Sequence, residues 1–379
     1  MNVLVYSDQI TRVEYDPNHP FKPGRGKQFM DLLQRYSLIH EENQRIVEPE
    51  PLPEELLYLF HTRYYIDLFR RADEGSFSVE MFAAGLGTGD NPVFPGMYRF
   101  ALVCSGGTLQ GARMLERGEA RFVFNPIGGF HHAGKDHAGG FCYINDIAIA
   151  ILDLVSRGKR IAYIDIDVHH GNGVESAFYA SDRVLTISIH ESGKTLYPWS
   201  GFENEIGTGA GTGYNVNIPL EKGSDDEVYE FAFESIVPPL IERFAPDVVF
   251  AQIGGDTHRE DPLAHLRLTS NGYKRTVKRI NDISPKIMAT GGGGYNVYKT
   301  SALWTLAWAV FCGIEPRDHY AGVVGGMMYG PEAQAGSLED PPFVARGVDK
   351  DDCYRKARET VDYIKKNVFP VHGLQHPNN

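Results

Sequence analysis

The sequence contains little cysteine, and no two cysteines stand at a metal-binding spacing. It has four in 379 residues, none in a C-x-x-C pair: Cys104, Cys142, Cys312 and Cys353. Thiolate zinc sites typically use closely spaced cysteine pairs, and disulfide frameworks are typical of short, cysteine-dense secreted chains. We therefore expect reduced thiols and neither kind of cysteine-based site.

Long apolar runs are also missing. The longest, from Ala302 to Ile314, is too short to span a bilayer and contains Thr305, so it predicts a buried helix. The start of the chain lacks a basic region followed by an apolar stretch, so we expect no secretory signal. These absences predict a cytoplasmic protein without a membrane partner.

Basic residues are fewer than acidic residues. Lysine and arginine number 37 against 49 aspartate and glutamate residues, which gives a formal net charge of -12. An acidic surface repels phosphate backbones, so we expect no direct nucleic-acid partner, whereas a basic ligand is compatible with this charge.

Short β-rich runs alternate with helical patterns along the chain. Six runs predict strands: Val3–Ser7, Arg121–Phe124, Arg160–Ile166, Val184–Ile189, Asp247–Ile253 and Ile287–Ala289. Such alternation predicts an α/β fold in three layers, with a mainly parallel sheet and helices on both faces. Without repeats or low-complexity linkers, residues 1–379 are predicted to form a single domain, with 317–379 as a peripheral loop and an amphipathic helix.

Three further segments carry structural predictions. The apolar spacing from Pro53 to Ala72 predicts one helix, and the Gly- and Pro-rich stretch from Phe82 to Tyr98 predicts a long loop. Loops of that length in compact domains are often functional. The stretch from Gly325 to Asp349 is interpreted as a surface excursion, with a lid or an interface as the alternative.

Polar side chains follow several predicted strands at the edge where α/β sheets bind ligands. As one strand ends, the alternation of side chains places Asp165, Asp167 and His169 on one face. Another strand leads through two glycines to Asp256. Catalytic zinc sites use three protein ligands and keep one position open, so Asp167, His169 and Asp256 are the predicted ligands. Oxygen and nitrogen ligands without sulfur suit Zn²⁺ and also Fe²⁺.

A two-metal ureohydrolase site is the close alternative. It would need further carboxylates two residues after His169 and two residues before Asp256. Those positions hold Gly171 and Gly254, so the sequence predicts a mononuclear site.

Two adjacent histidines, His131 and His132, are the acid–base candidates because imidazole titrates near neutral pH. Asp165 can orient one ring and Asn172 the other, but the residues alone do not assign separate roles to the two histidines. Tyr295, at the end of a run of four glycines, can donate its phenol to a developing oxyanion.

Three long strings of residues carry a family resemblance. They are Gly128-Gly129-Phe130-His131-His132 continuing through Gly140-Phe141-Cys142-Tyr143-Ile144-Asn145-Asp146, the run from Tyr163 to Glu175, and Gly291-Gly292-Gly293-Gly294-Tyr295-Asn296. The chain resembles the zinc-dependent histone deacetylase family, including bacterial acetoin-utilisation deacetylases, from His19 to about Gly313. The resemblance implies the arginase/deacetylase fold, with a sheet of about eight strands.

The resemblance also implies roles. His132 matches the general base and acid, while His131 matches its charged partner, which Asp165 supports. Asp167, His169 and Asp256 match the zinc ligands, and Tyr295 matches the tyrosine that polarises the carbonyl.

Further matches concern the substrate and structural ions. Asp90 matches a rim residue that holds the substrate backbone, Leu263 is a further substrate-binding candidate, and Phe141 with Phe202 or Trp199 would line an acyl-lysine tunnel. Structural potassium sites would use Ser188 at one position and Phe178, Val184 and Tyr214 at another.

The chain departs from the class I pattern, which has an aspartate where this chain has Asn172. A neutral partner raises an imidazole pKa less than a carboxylate does, so a class I pH profile is not expected to transfer. His258 and Arg259 on the rim bear on substrate preference.

Together these features predict metal-dependent hydrolysis of N-acyl-lysine amides. A metal-activated water attacks the carbonyl, with His132 as base and acid and Tyr295 stabilising the oxyanion. The expected partners are acetylated lysine side chains of proteins or small acylated amines. An acetylpolyamine amidohydrolase and a catalytically silent acyl-lysine-binding module are the alternatives.

Overall fold

A computed structural model describes residues 1–13, 15, 18–316, 338–341 and 343–375. Eight strands form one sheet in the order β2-β1-β3-β8-β7-β4-β5-β6, and every neighbouring pair is parallel. The strands are β1 (Asn2–Val5), β2 (Gln44–Val47), β3 (Phe122–Asn125), β4 (Ile161–Asp165), β5 (Val184–Glu191), β6 (Asn215–Leu220), β7 (Val248–Gln252) and β8 (Ile287–Thr290).

Helices connect the strands. In the described ranges they are α1 (Asp8–Thr11), α2 (Arg25–Arg35), α3 (Glu54–Leu57), α4 (Arg63–Asp73), α5 (Val79–Ala83), α6 (Met97–Glu116), α7 (Asp146–Ser156), α8 (Asn172–Phe178), α9 (Asp226–Phe244), α10 (Ser270–Ile283), α11 (Val297–Cys312) and α12 (Val348–Asn367). Two short 3₁₀ turns cover Gly209–Gly211 and Phe369–His372.

Both faces of the sheet are buried, because alternate residues of each strand enter different cores. Leu4 packs into one core and its neighbours Val3 and Val5 into the other. Helices α2, α9, α10, α11 and α12 contribute to the first core, and α4, α6 and α7 to the second. The predicted three-layer α/β architecture with about eight parallel strands is confirmed.

The two strands without a sequence prediction, β2 and β6, lie at the two edges of the sheet. β2 has only four residues, two of them exposed, so it lacks the apolar run of a central strand. β6 contains Pro219, which an edge strand tolerates because one side of its ladder is unpaired. Edge strands therefore carry the weakest sequence signals in this fold.

The single helix predicted from Pro53 to Ala72 is wrong. The chain forms α3 and α4 instead, with a break that ends at Thr62, whose hydroxyl accepts the backbone N–H of Tyr65. The buried His61 ring accepts the backbone N–H of Asn145 at 3.0 Å, so tertiary contacts interrupt the helix. The stretch from Phe82 to Tyr98 is mostly loop, with its first residues at the end of α5 and its last residues at the start of α6.

Much of the predicted excursion from Gly325 to Asp349 lies outside the described residues. Helix α12 follows it and buries one face, including Cys353, Ala357 and Ile364, against α9 and β6. None of the helices in the described ranges has the length and apolarity that crossing a bilayer requires.

Four neighbouring strands position the candidate site. β3, β8, β7 and β4 are adjacent in the sheet although they are distant in sequence. Parallel strands bring their carboxyl ends to one edge, so the loops after these four strands meet there.

Helix α6 packs closely at Gly106 against the segment from Glu50 to Leu52, and a substitution there tests this contact. A Cβ at this position would lie 1.8 Å from the Glu50 carbonyl oxygen and 2.5 Å from the Leu52 nitrogen. We expect Gly106→Ala to destabilise the protein by about 1–3 kcal/mol, despite the better helix propensity of alanine. The urea unfolding midpoint measures the change.

Gly24→Ala is the matched control, since the nearest atom to its Cβ would be 3.9 Å away. An unchanged midpoint for Gly106→Ala would mean that α6 is not in close contact with the segment from Glu50 to Leu52.

Candidate active site

Three buried side chains at the sheet edge form a compact cluster of potential metal ligands. Ligand atoms of Asp167, His169 and Asp256 all lie within 4.8 Å of one another. His169 Nδ1 is 3.1 Å from an oxygen of Asp167 and 3.1 Å from an oxygen of Asp256. Asp167 and His169 come from the loop after β4 and Asp256 from the loop after β7, as the sequence predicts.

Backbone donors hold the two carboxylates in place. Asp167 Oδ2 accepts the N–H of Gly293 at 2.6 Å, and Asp256 Oδ1 accepts the N–H of Val168 at 3.0 Å. A Cβ on Gly293 would lie 2.0 Å from Asp256 Oδ2, so only glycine allows the backbone to approach this closely.

The donor set fits a cation. Burial and the neighbouring Asp167 carboxylate raise the pKa of Asp256, and a cation between the two carboxylates would offset their repulsion. Two carboxylates and one imidazole, without sulfur, suit Zn²⁺ and also Fe²⁺.

The positions that would carry second-metal carboxylates have no room for a side chain. A Cβ on Gly171 would lie 2.4 Å from Asp165 Oδ2, and one on Gly254 would lie 2.3 Å from Asp167 Oδ2. This geometry favours one metal ion over two.

The two predicted acid–base histidines face each other beside the cluster. Their Nε2 atoms are 3.0 Å apart, and both rings are buried. His131 Nδ1 lies 2.8 Å from Asp165 Oδ2, and His132 Nδ1 lies 2.7 Å from Asn172 Oδ1. Each ring therefore has the partner that the sequence predicts.

These unlike partners separate the two rings electrostatically. Although burial opposes it, the carboxylates of Asp165 and Asp167 raise the pKa of His131. Burial lowers the pKa of His132 far below its usual value, and positive charge on His131 and His169 lowers it further. Because the amide oxygen of Asn172 only accepts, His132 carries its proton on Nδ1 and leaves Nε2 as an acceptor.

Tyr295 follows the glycine run after β8 and lines a cavity together with His131 and His132. Its ring centroid is 6.2 Å from that of His169 and 5.6 Å from that of Phe141. Burial raises the pKa of Tyr295 well above its ordinary value, and the carboxylates of Asp256 and Asp167 add to this, so the phenol keeps its proton. It can therefore donate a hydrogen bond.

Twelve residues line the cavity: Phe21, Gly128, Gly129, Phe130, His131, His132, Gly140, Phe141, Cys142, Gly292, Gly293 and Tyr295. Phe141 has a φ of 69°, and its ring centroid lies 4.6 Å from that of His19. The His19 ring donates to the carbonyl oxygen of Asp90 at 3.1 Å, while the Asp90 side chain is exposed. This network links the cavity wall to the predicted rim residue.

A further aromatic ring, which is not one of the predicted candidates, lies beside the cavity against His132. Tyr197 lies with its ring centroid 5.0 Å from that of His132, whereas Trp199 is 62% exposed and Phe202 is half-buried. No pattern in the sequence marks Tyr197, because its position depends on how the loop after β5 folds back. Leu263 is 36% exposed on the loop after Asp256.

The predicted potassium residues lie on the β4–β5–β6 side of the site. Ser188 pairs with Asp165 in the sheet, and its hydroxyl is 2.8 Å from His190 Nδ1. The carbonyl oxygens of Phe178 and Tyr214 each accept a backbone N–H, and Val184 begins β5. Potassium binding at both positions stays a prediction.

Several supporting residues had no predicted role. Arg25 is buried and donates to the carbonyl oxygens of Gly292 and Gly294, the latter at 2.9 Å. Asp261 accepts the Tyr295 N–H at 2.7 Å. Asp146 accepts the N–H groups of Gly129 and Phe130 at 2.9 and 2.8 Å.

The sequence carries a signal for only one of these three. Asp146 stands in a string that supports the family resemblance, so its importance could have been inferred. Arg25 and Asp261 act on backbone atoms of a distant loop, and no local pattern identifies such contacts.

Known proteins are similar to this chain in sequence and in fold. The histone deacetylase domain profile matches residues 19–311. Histone deacetylase RPD3 of Saccharomyces cerevisiae is 37% identical over 303 residues, which cover 79% of this chain and 69% of RPD3. Human histone deacetylase 1 is 37% identical over 308 residues, which cover 80% of this chain and 63% of the human protein.

Solved structures agree. An HDAC homologue from Aquifex aeolicus superimposes with a TM-score of 0.83 and 32% identity, covering 94% of this chain and 99% of that one. An HDAC homologue complexed with SAHA gives a TM-score of 0.84 and 31% identity, covering 96% and 99%. The predicted arginase/deacetylase fold is thereby confirmed, and the chain belongs to the zinc-dependent histone deacetylase family, whose members are hydrolases of acetyl-lysine amides.

Proposed function

We propose that this chain is a metal-dependent lysine deacetylase that acts on acetylated lysine side chains of proteins. The observation that carries the proposal is the histidine pair with unlike partners beside a buried cluster of two carboxylates and one imidazole. The relatives RPD3 and human histone deacetylase 1 are histone deacetylases, which points to the same chemistry.

Asp167, His169 and Asp256 are the proposed ligands of a catalytic Zn²⁺, with Fe²⁺ as the alternative. A zinc ion held there would supply a Lewis acid that polarises the substrate carbonyl and makes water more acidic. Structural K⁺ near Ser188, Phe178, Val184 and Tyr214 is part of the same proposal.

His132 is the proposed proton carrier. With its Nδ1–H directed at Asn172, its Nε2 accepts a proton as water adds to the carbonyl carbon. The same nitrogen then returns the proton to the amine as the carbon–nitrogen bond breaks, which yields acetate and free lysine. His131, paired with Asp165, contributes positive charge near the developing oxyanion.

Tyr295 is the proposed oxyanion donor. Its raised pKa keeps the phenol protonated, so it can donate a hydrogen bond to the carbonyl oxygen. The clamps from Arg25 and Asp261 on the glycine run favour a fixed position for this ring.

The shape of the cavity supports a slender substrate. Phe141 in the cavity wall, with Tyr197 beside it against His132, provides apolar surface suited to the methylenes of a lysine side chain. The exposed Asp90 can accept from a substrate backbone N–H. A small acylated amine would fit the same walls without using Asp90 in this way.

Replacing Tyr295 with phenylalanine tests the oxyanion role. We expect kcat for an acetyl-lysine peptide to fall roughly 10²–10³-fold with little change in KM, because the lost hydrogen bond is strongest when the oxyanion develops in the transition state. Acetate release gives both constants. Tyr298→Phe, three residues further along in α11, is the control and should retain activity. A Tyr295→Phe variant with near wild-type kcat would refute the role.

Removing the metal tests the ligand assignment. Chelation should abolish acetate release, and Zn²⁺ should restore it in the wild type but not after Asp256→Ala, which deletes a ligand. Undiminished hydrolysis in fully metal-free protein would rule out the metal-dependent reaction.

Two substrates separate the protein deacetylase from the polyamine alternative. We expect kcat/KM for an acetyl-lysine peptide to exceed that for acetyl-spermidine by at least about tenfold, a difference of about 1.4 kcal/mol in transition-state binding. The reverse ratio would identify an acetylpolyamine amidohydrolase. Peptide binding without turnover of either substrate would indicate a silent acyl-lysine-binding module.

A further inference from the structure

Asp340, near the C-terminal end of the chain, has a buried carboxylate. It contacts His258, on the loop that carries Asp256, and Lys299, just after Tyr295. Its Oδ2 accepts from His258 Nε2 at 2.6 Å and from the Ser270 N–H at 3.0 Å. Its Oδ1 accepts from Lys299 Nζ at 2.7 Å. The Asp340 side chain is 5% exposed.

His258 connects Asp340 to the loop that carries Asp256. Its Nδ1 accepts the Glu260 N–H at 3.2 Å, so its Nε2 bears the proton that Asp340 receives. The His258 carbonyl oxygen accepts the Asp261 N–H at 2.9 Å. Asp340 therefore braces the turn between Asp256 and Asp261.

Lys299 connects Asp340 to the other loop. It lies in the first turn of α11, the helix that begins just after Tyr295. Asp261 already joins the two loops by accepting the Tyr295 N–H at 2.7 Å. The Asp340 carboxylate bridges the same two loops from behind, through His258 on one side and Lys299 on the other.

The segment that carries Asp340 is docked independently of this carboxylate. The Asp340 N–H donates to Ser270 Oγ at 2.6 Å, and its carbonyl oxygen accepts from Asn271 at 2.9 Å. Leu338 is buried, and Glu339 pairs with Lys274 at 2.6 Å. Loss of the charge should therefore leave the segment in place.

Asp340 is ionised despite its surroundings. Burial raises its pKa, but the hydrogen bonds from His258 and Lys299 outweigh burial and hold the pKa below its ordinary value. Hydrogen bonds to a charged acceptor are stronger than neutral ones, so the negative charge itself tightens the bridge.

We propose that Asp340 is a positioning residue for the deacetylase reaction, which sets the spacing between the Asp256 loop and Tyr295. The inference rests on the proposed function. Asp340 does not contact the cavity, so it acts through the loops, where a shift of about 1 Å is enough to impair catalysis.

Asp340→Asn tests the proposal because it removes the charge and preserves the shape. We expect kcat for an acetyl-lysine peptide to fall about tenfold, with KM changed less than about twofold. Glu339→Gln, on the same segment but paired with Lys274, is the control and should stay within about twofold of wild type. Unchanged kcat for Asp340→Asn would overturn the proposal.

A double mutant separates positioning from general destabilisation. If Asp340 acts through Tyr295, then Asp340→Asn should cost less than about twofold in a Tyr295→Phe background. A full tenfold loss there would show that Asp340 does not work through the phenol. Lys299→Met removes the opposite end of the bridge and should reproduce the loss if Asp340→Asn proves unstable.

Hydrogen–deuterium exchange provides a readout without catalysis. The Tyr295 amide, which is bonded to Asp261, should exchange about tenfold faster in Asp340→Asn, while amides in the core of β4 stay unchanged. Equal Tyr295 exchange in the two proteins would reject the bridge. If wild-type protein releases no acetate, the proposed function fails, but this exchange experiment still decides the positioning role.

Discussion

The arrangement of this site depends on the repulsion between two buried carboxylates, those of Asp167 and Asp256. Two such charges at one sheet edge are costly unless backbone donors and a cation compensate for lost hydration. The N–H groups of Gly293 and Val168 provide the fixed part of that compensation. Within the glycine run, Gly293 must lack a side chain because a Cβ there would occupy the space of the Asp256 carboxylate.

The second constraint is that two chemically identical rings must behave differently. His131 and His132 are neighbours in sequence with Nε2 atoms 3.0 Å apart, so two positive charges there would repel strongly. A carboxylate behind one ring and an amide behind the other settle which ring carries the charge. Burial and the positive charge on His131 lower the pKa of His132, although its hydrogen bond to Asn172 acts in the opposite direction.

The residues that carry the chemistry were easier to predict from the sequence than the tertiary contacts that hold them in place. Asp165, Asp167 and His169 were predictable because strand periodicity and the parallel sheet determine their direction. Edge strand β6 and the break at Thr62 were not, because tertiary contacts override weak local preferences there. Contacts to distant backbone atoms, such as that of Asp261 with the Tyr295 N–H, have no sequence periodicity and become visible only in three dimensions.

The need for distant contacts around Tyr295 arises from the glycines that precede it. Four consecutive glycines let the backbone reach the carboxylates, but they leave the loop before Tyr295 with more conformational freedom than any other sequence would. A catalytic phenol needs a fixed position, so external contacts must remove that freedom. Arg25 and Asp261, which are far apart in the sequence, both restrict this loop. The bridge from Asp340 to Lys299 connects it to the C-terminal part of the chain as well. The glycine run and its distant clamps are thus two parts of one solution.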